Sequence, residues 1–561
     1  MTILRPPGLG PLIGHTTPTT CRIWMRADDP SDDKTDLDEN RRTVGVIGLL
    51  AGDKIGEAHY FRLPREYDRT GVFCLGQDVD LGQHPNDIAL LPPDQQTAPA
   101  VPVPLKPDTA YTVCCGSLTI DDPFPNDLSL SDARLSKYLP PIEQVKNELR
   151  ALDPAKARAT FRTPAKVAGP APALAFLLGS CRYPGLLWKI KEADRIFGPM
   201  TNHLAGAAAN LPRASFTLMV GDQIYGDELN RNIPLLRADT YAEFQKRYVE
   251  AFEATNMRRL LSMAPTYMIL DDHEIEDNWS QDRVQQSTSS AHLFNVAISA
   301  YMNYQWSHSP RNFGRLFYYR FDWSGYPFFV LDTRTQRYKT KARLAENHLL
   351  GKPSLDPVHP SQLDQLLTWL SEQQAKGDAP KFIVSSSVFV PNAMDERSAP
   401  EVDQDKLLNS DSWPSFPATR KRLLQHIVDN KIQNVVFLSG DIHCSNVAQM
   451  SFDGSPDAQK LRAFSITSSA FYWPFPFADG DPNGYVHDSK APGQLDSFKL
   501  DRGTMDYKAW AFTQEDNFCR IDIDQPTATI TVRTYDKLGR PLNVGPKAAP
   551  VTATALKLAP W

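Results

Sequence analysis

Five apolar runs, far apart along the chain, each stop at residues that bind metals or anions. Run 173–179 is followed by Ser180, Cys181 and Arg182, and run 215–221 by Asp222, Tyr225, Asp227 and Glu228. Run 265–270 leads into Asp271, Asp272, His273 and Glu274, run 326–331 into Asp332, Arg334 and Arg337, and run 433–440 into Asp441, His443, Cys444 and Asn446. Near-continuous apolar runs are expected of strands buried on both faces in an α/β core. In open α/β sheets ligands bind beyond the carboxyl ends of the strands. One Asp after a strand is commonly the N-cap of the next helix. Five such ends brought together would set several carboxylates within a few ångströms. Such a cluster persists only if cations neutralise it or its members take up protons.

The rest of the chain frames these ends. Helical periodicity is expected near 188–206, 239–262, 290–307, 360–376 and 418–430, alternating with strands at 173–179, 215–221, 265–271, 326–332, 381–388 and 433–440. Strand-like alternation returns at 461–468, 517–524 and 527–535, around an irregular insertion, 471–510, rich in Trp, Phe, Pro, Gly and Asp. Residues 1–165 read as all-β, with short β-branched runs at 19–26, 43–50, 71–75 and 110–119. An acidic stretch, 28–39, and a proline-rich one, 92–107, read as solvated loops. A Pro/Ala/Gly linker at 164–172 marks the change of character. The expected domains are therefore 1–165, 172–540 with its insertion, and a tail, 541–561.

Bulk properties exclude some roles. A chain of 561 residues buries a large core without disulfide staples, and its net charge of −6 argues against nucleic acid as a structural partner. The seven cysteines include no CxxC pair, which argues against a structural zinc site. No apolar run is long enough for a transmembrane helix. No signal peptide is apparent, so the expected location is cytoplasmic, or exported if a leader has been removed.

The donor types carry chemical information. Carboxylates suit hard cations, imidazole suits transition metals, and thiolate and phenolate suit a more acidic ion such as ferric iron. A mixed set argues for more than one ion, and two neighbouring ions clamp the attacking and leaving oxygens of a phosphoester. Arg182, Arg334 and Arg337 are candidate cationic clamps on the phosphoryl group. His273 is a candidate to protonate the leaving oxygen or to orient phosphate. The aromatic run 471–477 is either a hydrophobic plug or, as the favoured alternative, a pocket wall.

These motifs carry a resemblance. Gly-Ser-Cys-Arg (179–182), Gly-Asp-Gln-Ile-Tyr-Gly-Asp-Glu (221–228), Leu-Asp-Asp-His-Glu (270–274), Leu-Asp-Thr-Arg-Thr-Gln-Arg (331–337) and Ser-Gly-Asp-Ile-His-Cys (439–444) resemble the PhoD-type alkaline phosphatases, a branch of the calcineurin-like metallophosphoesterases. The resemblance runs over about 173–535. The segment from Gly10 to His15, followed by Thr20 to Trp24, is similar to the β-sandwich that precedes the catalytic domain in that family.

The resemblance implies a four-layer αββα sandwich behind an N-terminal Ig/fibronectin-like β-sandwich. It also implies metal-dependent hydrolysis of phosphate monoesters or diesters, with iron (as Fe3+) and calcium as cofactors and other divalent metals as alternatives. Carried over by position, Asp222 is a bridging carboxylate, and Cys181 and Tyr225 are the thiolate and phenolate ligands. Asp272 stands where the broader superfamily has asparagine, beside His273. Asp441 and His443 form the last metal motif, and Arg334 faces substrate. Asp227 and Glu228 are left unassigned by the resemblance, and the insertion leaves the substrate class open. Two other readings were weighed. A metal-binding protein without turnover would be marked by a broken ligand set, and none is broken. A serine hydrolase would need a Gly-x-Ser-x-Gly elbow, and none is present.

Overall fold

In the computed structural model, two mixed sheets share one aromatic interior, and the candidate residues gather at one end of both. The structure describes residues 4–28, 41–77, 89–90, 104–122, 126–184, 190–208, 210–227, 237–310, 316–340, 342–354, 356, 358–397, 404–475 and 480–561. Glu228 and most of the acidic and proline-rich stretches lie outside these residues.

Among the described residues, the first sheet runs in the order Thr266–Met268, Thr217–Met219, Leu174–Gly179, Asn517–Asp524, Thr529–Asp536, Thr554–Lys557. Its first three strands are parallel, and the others join antiparallel. The second sheet is built on four parallel strands, Tyr326–Val330, Lys381–Val384, Val435–Ser439 and Ala463–Thr467. Antiparallel neighbours extend both of its edges.

Side-chain alternation explains why these strands look apolar throughout. Phe176, Leu178, Phe328, Phe382, Val436 and Leu438 enter a cluster shared by both sheets. Its rings stack closely, Tyr267 on Phe321 at 3.9 Å and Phe328 on Phe382 at 4.6 Å. The intervening residues face helices. Leu177 and Met219 pack with residues of Phe197–Ala205, Tyr241–Glu253 and Thr288–Tyr304. Phe329, Ile383 and Phe437 pack with Gln362–Lys376 and Pro417–Asp429. Strands covered on both faces cannot alternate apolar with polar. Two of these helices start on capping boxes, Thr240 with Glu243 and Ser361 with Asp364.

The N-terminal region departs from the all-β expectation. Two sheets do face each other, with Ile13, Ile23 and Phe73 on one side and Ile47, Phe61, Val113 and Phe161 on the other. However, Ile142–Ala151 is a helix, and it packs Ile142, Val145 and Leu149 against Val44, Val46 and Leu118. That helical spacing covers an outer sheet face that would otherwise be exposed. Two other segments also differ from expectation. Thr554–Lys557, within the expected tail, is an edge strand of the first sheet. The end of the insertion begins a long strand, Thr504–Thr513.

Trp24 ties the N-terminal region to the rest. It is fully buried, stands 5.6 Å from Tyr304 and 6.1 Å from Phe252, and donates its indole N–H to Asn303 O at 2.7 Å. Truncating it leaves a large cavity and an unpaired carbonyl. Trp24→Ala is therefore expected to cost about 3–5 kcal/mol, read as an earlier denaturant unfolding transition. Among the described residues no helix is long and apolar enough to cross a membrane.

Candidate metal centre

The strand ends converge because their backbones are hydrogen-bonded to one another. Cys181 N–H donates to Gly221 O at 3.2 Å, and Arg182 N–H to Asp222 O at 2.9 Å. Beyond the strands the chain turns sharply, and Cys181, Asp222, Asp441 and His443 all have left-handed backbones, with φ of 57°, 55°, 72° and 50°. For residues with a Cβ this conformation costs of the order of 1–3 kcal/mol each, and such strain collects at functional sites.

Three donor groups result, each with ligand atoms within 4.8 Å of one another: Cys181, Asp222 and His443; Asp222, Asp272 and His273; and Asp222, Asp271, Asp272 and Asp441. Asp222 belongs to all three. Asp222 Oδ1, Asp271 Oδ2, Asp272 Oδ1 and both ring nitrogens of His443 are buried without a hydrogen-bond partner. Buried polar atoms are nearly always paired in folded proteins, so this many orphans of ligand type in one place fit bound cations.

The electrostatics agree. Burial, reinforced by the neighbouring carboxylates, holds the Asp222 and Asp441 carboxyls well above their usual range. Burial does the same to the thiol of Cys181 and the phenol of Tyr225, with the charge of Asp222 adding to it. His443 is pushed down to about 3 by burial and by His273. Left to themselves these groups hold protons or stay neutral, and a cation reverses that preference.

Each sequence-derived residue has a definite place. The Tyr225 hydroxyl points at Asp222 Oδ2, 3.5 Å away, and its ring stacks on His273 at 4.2 Å. His273 Nδ1 pairs with Asp227 Oδ1 at 2.7 Å. Burial opposes the charge of this imidazole, but Asp227, Asp272 and Asp222 outweigh it and hold the ring well above the usual histidine range. Arg334 is fully buried. It contacts Asp271 through Nε and Asp411 through Nη1 at 2.7 Å, and its Nη2 lies 3.3 Å from Asp272 Oδ1 and 3.8 Å from Asp441 Oδ1.

The other two arginines differ from expectation. Arg337 donates to Thr333 O at 2.7 Å and Ser387 Oγ at 2.8 Å, and lies 3.5 Å from Asp411. Arg182 is buried with its guanidinium 5.7 Å from the centre of the Phe197 ring, and its charge partner is Asp194 on the helical side. Its position just after Cys181 had suggested a phosphate clamp. The side chain instead turns into the helix layer and forms no ion pair with the carboxylate cluster among the described residues.

Several supporting residues escaped the sequence reading. Glu274 accepts from the backbone N–H groups of Asp222 (3.1 Å), Gln223 (2.7 Å) and Asp271 (2.9 Å), and from Gln305 Nε2 (3.0 Å). It therefore fixes two strand ends at once, a role its place in the Asp-Asp-His-Glu motif only hinted at. Glu274→Ala would orphan three buried N–H groups. A loss of about 3 kcal/mol or more is expected, with metal affinity weakened about 10–100-fold, measured by denaturation and metal titration. Asp411 gave no local signal, since it lies in a loop far along the chain from every strand end. Ser469 joins two ligand candidates, donating to Cys181 Sγ at 3.2 Å and accepting from His443 N–H at 3.0 Å. Of the aromatic run, Trp473 lies flat on His443, ring centres 3.7 Å apart, with Tyr183 and Phe475 against it.

Comparison with known proteins gives the family. A family model described as PhoD-like phosphatase matches residues 196–475, about half of the chain, and spans every strand end except that of Cys181. This chain belongs to the PhoD-like phosphatase family. Alkaline phosphatase D of Bacillus subtilis (strain 168) is 23% identical over 233 residues, a match covering 40% of this chain and 38% of that protein. Among solved structures, one described as PhoD matches with a TM-score of 0.60 at 15% identity, covering 98% of this chain and 94% of the other. Purple acid phosphatase PPD1 from yellow lupin (Lupinus luteus) seeds matches with a TM-score of 0.50 at 9% identity, covering 99% and 74%. These two likenesses concern the fold.

Proposed function

We propose that the chain hydrolyses phosphate esters at a multinuclear metal centre held by Cys181, Asp222, Tyr225, Asp272, Asp441 and His443. The observation that carries this reading is the membership of Asp222 in all three donor groups, which suits a carboxylate shared between ions. Metal ions bound there supply Lewis-acid charge to the phosphoryl oxygens. The protein's own residues supply the rest. Arg334 directs Nη2 toward the Asp272–Asp441 edge, where a phosphoryl oxygen adds a third anionic partner. His273, kept protonated by Asp227, is placed to give a proton to the leaving oxygen. The thiol and phenol favour ferric iron on the Cys181 side, and the all-carboxylate group favours calcium on the other. Arg337 supports this arrangement through Asp411, and Arg182 is not assigned to substrate.

The same reading takes the two sheets and their outer helices as an αββα sandwich over residues 172–540, with 1–165 as a separate N-terminal domain. The distinct apolar clusters of the two regions support that division. Residues 541–561 then close the first sheet with their edge strand. The test is elemental analysis of the purified protein beside a panel of aryl phosphate monoesters and diesters. Iron with a second metal and turnover of either ester class is the expected result. Stoichiometric metal with no turnover on any ester overturns it.

A further inference from the structure

Arg334 is held at two of its three nitrogens. Nε is taken by Asp271 and Nη1 by Asp411 at 2.7 Å, while Nη2 has no hydrogen-bond partner although it is buried. Nη2 lies 3.3 Å from Asp272 Oδ1 and 3.8 Å from Asp441 Oδ1, at the edge of the carboxylate cluster. A guanidinium held only through Nε can still swing about the side-chain torsions and shift its terminal nitrogens. The second tether removes that freedom. We propose that Asp411 is a positioning residue that pins Nη1 of Arg334 and so directs Nη2 as a donor to a phosphoryl oxygen. The proposal rests on the phosphoester reading above.

Asp411 is placed by the second sheet and its helices, not by the cluster. The flanking Ser412 Oγ donates to Glu396 Oε2 at 2.5 Å, and the next residue, Trp413, packs 4.8 Å from Phe389 and donates to Ser385 Oγ at 3.4 Å. Lys339 Nζ donates to Ser410 O. Asp411 joins none of the three donor groups; its contacts toward the centre are the ion pairs with Arg334 and Arg337, and its charge also bears on Asp441. Asp411 Oδ2 faces Arg337 Nη1 at 3.5 Å, and Arg337 is itself fixed by Thr333 and Ser387. One carboxylate thus anchors Arg334 to a part of the molecule that carries no ligand. Burial opposes its charge, but Arg334 and Arg337 hold the carboxyl below the usual range, so the anchor is ionised.

The experiment is a double-mutant cycle on the metal-loaded protein. Inorganic phosphate affinity is read by calorimetry, with kcat, KM and metal content in parallel. Asp411→Ala is expected to weaken phosphate binding about 10–100-fold, as loss of an outer-shell partner does, with metal content unchanged. Asp411→Asn keeps an acceptor for Nη1 and should recover part of that loss, and it serves as the variant safest for folding. In an Arg334→Ala background, Asp411→Ala should cost nothing further. Wild-type affinity in Asp411→Ala overturns the proposal. So does a loss that recurs in full without Arg334, or one that follows a fall in metal content. Wild-type protein that binds phosphate but turns over no ester defeats the functional reading alone, and the cycle still decides the role of Asp411. Ester turnover with additive losses defeats the role of Asp411 alone, and a wild type that binds no phosphate defeats both.

Discussion

Asp222→Ala is expected to lose bound metal and phosphoesterase activity together while keeping its fold. Asp222 is the shared member of every donor group, so no ion site survives its removal intact. The transition-state charge stabilisation supplied by metals is worth several kcal/mol, so kcat/KM should fall by about three orders of magnitude or more. The fold should survive because the Asp222 carboxylate does little structural work. Its one hydrogen bond is from the Tyr225 hydroxyl at 3.5 Å, and Oδ1 has no partner. Removing a buried carboxyl whose Oδ1 has no partner also removes a desolvation cost, so metal-free Asp222→Ala should be at least as stable as metal-free wild type. Elemental analysis, aryl phosphate hydrolysis and thermal unfolding in chelator check the three parts. Full turnover in a metal-free variant would refute the metal-dependent reading.

Stripping the wild-type protein with a chelator is the second large effect. Asp222, Asp271, Asp272 and Asp441 crowd one buried region, and Arg334 and the His273 imidazole, raised by Asp227, Asp272 and Asp222, stand against them. Without metal, burial and mutual repulsion make Asp222 and Asp441 take up protons, and the stability that bound metal adds to the folded state is lost. Activity should vanish and the unfolding transition should move to lower temperature. Returning metal at about 100 times its Kd should restore about 2.7 kcal/mol, with a transition that depends on metal concentration. Activity and stability both indifferent to chelation would separate the cluster from any metal.

Local pattern carried much of the fold. Strands at Leu174–Gly179, Tyr326–Val330, Val435–Ser439 and Asn517–Asp524 fall inside the apolar or alternating runs. Thr288–Tyr304, Gln362–Lys376 and Pro417–Asp429 follow the helical periodicity to within three residues at each end. The helix Ile142–Ala151 was missed although its 142/145/149 spacing is helical, because a run of β-branched segments before it set the expectation of an all-β region. Ser445–Phe452 was missed for a different reason. It begins two residues after His443, where the chemistry of the motif draws attention away from strand alternation.

What the sequence determined by itself was which side chains stand together at the strand ends. Cys181, Asp222, Tyr225, Asp272, His273, Asp441 and His443 each follow a buried strand, and strand ends on one edge must meet whatever the details of packing. Tertiary structure alone decided how they are held and what their neighbours do. Arg182 and Arg334 look equivalent in sequence, each just past a strand end. One turns into the helix layer beneath Phe197, and the other is clamped among carboxylates. The direction of a long side chain depends on which partners surround it. For Arg334 those partners include Asp411, 77 residues away, brought there by the packing of Trp413 against the second sheet's helices.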